Sequence, residues 1–214
     1  MSITENVMRI RQEIDAAARE TGRTGKDIML VGASKMNDAD RCREAIAAGI
    51  DALGENRVQE MTEKLKENAY DGAPLHFIGH LQRNKVRAVL PYLYRVCSLD
   101  SLELAAVLDK EAARLSRTIG VLSEFNLAQE TTKTGLAAAQ ADVFFEALSQ
   151  FEHLIPEGIM VMGPHVEDEA AIAAVFRQAR ALFNRLKKNY GGPQFTICSM
   201  GMSHDYPIAL REGS

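Results

Sequence analysis

The sequence predicts a single α/β domain over residues 1–214, a (β/α)8 TIM-type barrel with the eighth strand missing at the C-terminal end. Three observations predict it. Short apolar runs alternate with helical stretches seven times, the pattern of parallel strands joined by crossover helices. Polar residues gather at the carboxyl ends of those runs. No repeat, low-complexity tract or linker divides the 214 residues.

Each element follows from local pattern. Ile3, Val7, Ile10, Ile14 and Ala17 recur at helical spacing and define an amphipathic helix over 3–21. The continuous apolar run at 28–34 reads as a strand buried on both faces. Asn37 or Asp38 caps a helix through Ala48, closed by Gly49. Further strands fall at 50–56, 74–79, 94–99 and 118–125, with helices over 57–68, 82–90 and, capped by Asp100 or Ser101, along Leu104, Leu108, Ala112 and Leu115. A polar loop at 126–135 leads to a helix over 138–150 and a sixth strand at 158–163. Ile172, Val175, Phe176, Ala179, Leu182, Phe183 and Leu186 make the clearest helical stripe. The seventh strand is 194–199, followed by the turn 200–203 and a short helix over 204–210.

Bulk properties exclude several classes. A net charge of −4 and a pI near 5.8 give no footprint for nucleic acid or an anionic membrane surface. No apolar run approaches the roughly 20 residues of a membrane span, and no basic stretch precedes an apolar core at the start, so the chain reads as cytoplasmic. Cys42, Cys97 and Cys198 are too scattered for a disulfide framework or a zinc motif. His76 and His80 flank a strand-like run and would stand roughly 13 Å apart, too far to share a metal. The alternating Met160, Met162, Met200 and Met202 read as core filling.

The strand ends bring Ser34 and Lys35, Glu55 and Asn56, Gly79 and His80, Ser98 and Asp100, Asn126, Gly163 and 199–203 to one rim, where ligands bind in parallel α/β folds. Lys35 there is a solvated residue, a phosphate-binding cation or an amine that forms a Schiff base. Ser199-Met-Gly-Met-Ser203 offers a glycine between hydroxyls before a helix, which suits an anion as well as a tight capped turn. Lys133, in the loop 129–135, is a second candidate anion contact, though a solvated loop with a turn glycine accounts for it as well. An amine and a phosphate cradle across one mouth suit a phosphorylated aldehyde.

Val31-Gly-Ala-Ser-Lys35, Gly54-Glu-Asn56 with Val58-Gln-Glu60, His76-Phe-Ile-Gly79 with Leu81-Gln82, Asn84 and Lys85, Ser98-Leu-Asp100, Asn126 through Glu130, Lys133 and Gly135, and Ser199-Met-Gly-Met-Ser203 follow in order along the chain. This set resembles the pyridoxal phosphate homeostasis family, single-domain proteins similar to the N-terminal barrel of alanine racemase. The resemblance implies pyridoxal 5′-phosphate held as an internal aldimine, a Schiff base, on Lys35. It implies that Asn56 borders this vitamin B6 cofactor and that Ser199, Met200 and Gly201 hold its phosphate, the latter two through backbone. It also implies a carrier and buffer of the cofactor without established catalysis, without a metal, and with cofactor-dependent apoenzymes as candidate acceptors. Two departures stand out. Met36-Asn37-Asp38 replaces the family's Thr-Lys-Pro-like segment, and the family continues into an eighth strand with an Arg-x-Gly-Thr segment.

Two alternatives share the lysine. A racemase needs acid–base groups on both faces of a carbanion, and Tyr70, Tyr92, Tyr94, Tyr190 and Tyr206 lack a matching context. A cofactor-free Schiff-base aldolase would use Lys35 on sugar phosphates. A lone barrel without an evident apolar stripe is expected to be a monomer.

Overall fold

A computed structural model describes residues 2–128, 130 and 134–214. Lys133 and most of the 129–135 loop lie outside the described residues, so the anion contact considered there is not addressed. The elements are α1 (Ile3–Glu20), β1 (Val31–Ala33), α2 (Ala39–Ala47), β2 (Ala52–Glu55), α3 (Val58–Lys66), β3 (Leu75–Phe77), α4 (Val86–Val89), β4 (Arg95–Leu99), α5 (Leu102–Arg114), β5 (Ile119–Phe125), α6 (Ala141–Leu148), β6 (Leu154–Val161), α7 (Glu169–Tyr190), β7 (Ile197–Met200) and α8 (Tyr206–Arg211). Among the described residues, four single turns of 3-10 helix lie between them. Every strand pairs parallel with its sequence neighbour, in the order β1-β2-β3-β4-β5-β6-β7. This is the seven-stranded barrel-type sheet that the alternation implies, and β1 and β7 do not pair with each other.

The sheet curls, and two observations show it. Arg95 in β4 reaches both Met29, just before β1, and Glu157 in β6. Ile28, Asp51, Arg95, Glu157 and Thr196 also line one cavity of about 570 Å³ at the amino ends of the strands. Because side chains alternate along a strand, each strand has an inner face and a helix-facing one. Inside the curl, Cys97, Leu122 and Met160 pack with Ile78 and Ile197. Outside, Leu53, Phe77, Val96, Leu99, Val121 and Ile159 pack under the helices in the main core.

Several boundaries shift for identifiable reasons. The first strand shortens to β1 because Ile28 N–H bonds back to Gly25 and Leu30 N–H is taken by the Asp51 side chain, Oδ2 at 2.6 Å, leaving one main-chain bond from Asp51 N–H to the Leu30 carbonyl. The sixth strand begins earlier than 158 because a register shift that skips Glu157, next to Gly158 at φ +151°, lets Leu154–Pro156 pair with β5 as well. The seventh begins later, at Ile197, because Gln194 lies in a turn. The 82–90 helix breaks into a 3-10 turn, the single turn α4 and a second 3-10 turn around Pro91. The open capping choices resolve to Asp38, bonded to Arg41 N–H, and Ser101, bonded to Leu104 N–H.

Candidate functional site

Alternation decides which rim residues share the mouth. Ser34 turns outward, its hydroxyl donating to Glu55 Oε1 at 2.6 Å, and Lys35 follows in the turn that leaves β1 at its carboxyl end. Lys35 is exposed, and its amine makes no hydrogen bond or ion pair among the described residues. Gly54 is inward, since a Cβ there would meet Ile78 at 2.8 Å. Glu55 is therefore outward, and Asn56 follows it at the strand end. Glu55 does not line the mouth, contrary to the expectation from its position. It is fully buried under α3, and Oε1 also accepts from Lys64 Nζ at 2.7 Å and Tyr70 Oη at 2.8 Å. Asn56 is partly buried, with its Oδ1 enclosed and unpartnered.

On the opposite side, Ile197 belongs to the inner cluster and Ser199 shares its face. Met200 points the other way, into the helix-facing core, so only its backbone can serve the mouth. Gly201 adopts φ +95°, and a Cβ there would stand 2.7 Å from the Ala209 Cβ and 2.9 Å from Tyr206 Cα, so the turn closes directly on α8. Asp205, fully buried, takes the Met202 N–H and fixes the far side of the turn. The N–H groups of Gly201 and Ser203 have no acceptor among the described residues. Free donors on a glycine turn are what an anion requires.

Other rim residues fall between these two walls. Glu124, inward like Leu122, is nearly enclosed, and burial raises its pKa; the nearby Asp100 raises it further, against the Thr134 hydroxyl and His80. His80 is exposed, 3.3 Å from Asp100. His76 lies at the opposite end of the inner layer, enclosed beside Arg95, and no described group of His, Cys, Asp or Glu could hold a metal. Lys64, Glu124 and Asp205 escaped the reading of the sequence, and Glu60 and Tyr70 were read without the Glu55 cluster they join. The available signals were the Glu60–Lys64 spacing on a helix and a carboxylate inside each of two apolar strands.

A curled parallel α/β sheet with a free lysine after β1 and a glycine turn after β7 is a binding scaffold of the alanine racemase type. The family described as alanine racemase, N-terminal domain, matches residues 6–211. A pyridoxal phosphate homeostasis protein of Aquifex aeolicus is 32% identical over 214 residues, 100% of this chain and 93% of that protein. The structure of PipY from Synechococcus elongatus with PLP bound superposes with a TM-score of 0.79 at 31% identity, covering 94% of each chain. An unknown protein from Bifidobacterium adolescentis superposes at 0.90 and 31% identity, covering 99% of this chain and 90% of that one. The chain belongs to the alanine racemase N-terminal domain family, in its pyridoxal phosphate homeostasis branch.

Proposed function

We propose that residues 1–214 form a cytoplasmic, monomeric carrier that binds pyridoxal 5′-phosphate and buffers its supply without catalysing a reaction on it. The single observation that carries this reading is the exposed, unpartnered Lys35 amine at the carboxyl end of β1, on the strand-end rim that also carries Asn56 and Ser199. The residues fit the cofactor. Lys35 supplies the amine, whose nitrogen bonds to the aldehyde carbon while the carbonyl oxygen leaves as water. Asn56 brings a buried acceptor without a partner, suited to a ring-borne donor. Ser199 and the backbone of Met200 and Gly201 provide the hydroxyl and N–H donors for the phosphate. When bound, the cofactor would offer a reversible aldehyde that a free amine can exchange, which is what a carrier needs for delivery to apoenzymes.

The tyrosines support carriage over racemisation. Tyr70 faces Glu55, Tyr206 faces Glu13 and Tyr190 faces Asp142. Tyr94 precedes β4 at the other end of the sheet, with Arg95 over its ring. None of these is set as an acid–base partner for Lys35.

The test is intact mass after adding pyridoxal phosphate and reducing with borohydride, followed by peptide mapping. One adduct, on Lys35 and absent from Lys35→Ala, is expected. A racemase would turn over amino acids above the rate of free cofactor. An aldolase would instead trap sugar phosphate on the cofactor-free protein.

A further inference from the structure

The structure assigns Glu60 and Lys64 on α3 as positioning residues for Lys35, an inference that rests on the binding role just proposed for that lysine. They hold the backbone on both sides of it. On the preceding side, Lys64 Nζ donates to the Ser34 carbonyl oxygen at 2.6 Å. On the following side, Glu60 Oε1 accepts the Met36 N–H at 2.6 Å. The two grips are joined, because Lys64 Nζ also donates to Glu60 Oε1 at 2.8 Å and to Glu55 Oε1 at 2.7 Å. The Lys35 amine makes no hydrogen bond or ion pair among the described residues, so its backbone placement decides where its amine goes.

The backbone there needs such a grip. Met36 sits at φ +61°, a left-handed conformation that costs a residue with a Cβ, and its side chain is 94% exposed, so packing does not hold it. The turn bond from Asn37 N–H to the Ser34 carbonyl oxygen and the Asn37 side-chain bond to the Lys35 carbonyl close the turn from within, and the bond from the Met36 N–H to Glu60 ties it to α3. Lys64 is buried, yet its three protons are all used, on Ser34, Glu55 and Glu60. Desolvation pulls the Lys64 pKa down, but the two carboxylates outweigh it and the net shift is upward, so the clamp stays charged. Lys64 in turn holds the Glu60 carboxyl below its ordinary range. A fixed cation therefore supports the loop from below without approaching the mouth. Ser34 and Tyr70 complete the anchor on Glu55 Oε1 and tie it to the sheet.

A residue that acts only through Lys35 must affect ligands that react with its amine and spare those that do not. Pyridoxine 5′-phosphate has the same ring and phosphate as pyridoxal 5′-phosphate but carries an alcohol in place of the aldehyde. Binding of both is measured to the full chain and to Glu60→Ala, which leaves the Glu55–Lys64 pair in place, and to Lys64→Met. The expected result for Glu60→Ala is roughly a tenfold loss of pyridoxal phosphate affinity, the scale of one charge-assisted hydrogen bond, with pyridoxine phosphate changed less than about twofold. Lys64→Met is expected to show the same split with a larger loss. Equal losses for both ligands, or unchanged pyridoxal phosphate binding by Glu60→Ala, would overturn the assignment. Failure of the binding role itself reads out separately, as no borohydride-fixed adduct on Lys35 of the unmodified chain.

Discussion

Gly79 packs against Asn56 so closely that a Cβ on it would stand 2.4 Å from the Asn56 carbonyl oxygen and 2.7 Å from its Cα. The atoms in the way are backbone, so the ends of β2 and β3 must separate to admit a methyl group. Gly79→Ala should therefore cost about 1–3 kcal/mol of stability and move Asn56 out of the mouth, weakening pyridoxal phosphate binding. Gly192→Ala is the control, since its Cβ would meet nothing nearer than 3.8 Å. Urea denaturation and a binding titration on both variants check it. Equal behaviour of the two would mean that the contact at Gly79 relaxes freely.

Lys35 should separate function from stability. Its amine has no partner among the described residues and its side chain is exposed, so Lys35→Ala removes no hydrogen bond or ion pair among them and little buried surface. The melting temperature without ligand should stay within about 1 °C, as for surface substitutions generally. The rise in melting temperature on adding pyridoxal phosphate should disappear. A large loss of stability without ligand would contradict the free position of this side chain.

Glu55 should behave in the opposite way. It is 0% exposed and its Oε1 collects three donors, so Glu55→Gln withdraws a charge from the buried Lys64. A loss of about 2–4 kcal/mol is expected, tempered because Lys64 keeps Glu60. Glu55→Gln combined with Lys64→Met should lose less than the sum of the two single variants, because the second substitution removes the charge that the first leaves unpaired. Denaturation of the four proteins gives the coupling directly, and strict additivity would count against a coupled pair.

The fold was legible in the sequence because strand bodies such as Ile119–Phe125 and the α7 stripe are long, apolar and clearly periodic. The site was legible in part. Lys35, Asn56 and Ser199 stand at carboxyl strand ends, as the alternation of strands and helices implies, and Met200 packs into the helix-facing core. Glu55 misled because both faces of a parallel strand are buried, so its sequence carries no polar contrast between the inside of the curl and the helix layer. The Glu55–Lys64–Glu60 cluster was hidden for a related reason. On α3 the Glu60–Lys64 spacing looks like an ordinary surface pair, and only the packing of the helix on β2 buries it. Gly158 carried no signal that would distinguish a bulge within β6 from the start of a strand.

His76 gives the last prediction, because its environment fixes the sign of a pH dependence. It is 1% exposed, with Arg95 3.3 Å from its Nε2, and burial followed by the Arg95 charge lowers its pKa from 6.5 to about 4. Between those values the unfolded chain binds a proton that the folded chain refuses, so stability falls as pH drops from 6.5 towards 4 and levels off below. The full span amounts to about 3 kcal/mol. Carboxylates held low by partners, such as Glu60, add their own loss at the acid end of this window, so the His76 share must be taken as a difference. His76→Asn removes the titrating group, and the stability gap between the two proteins should narrow from pH 7 to pH 4.5. Urea denaturation at four pH values measures it. A gap independent of pH would show that His76 titrates normally and that its enclosure in the inner layer does not hold in solution.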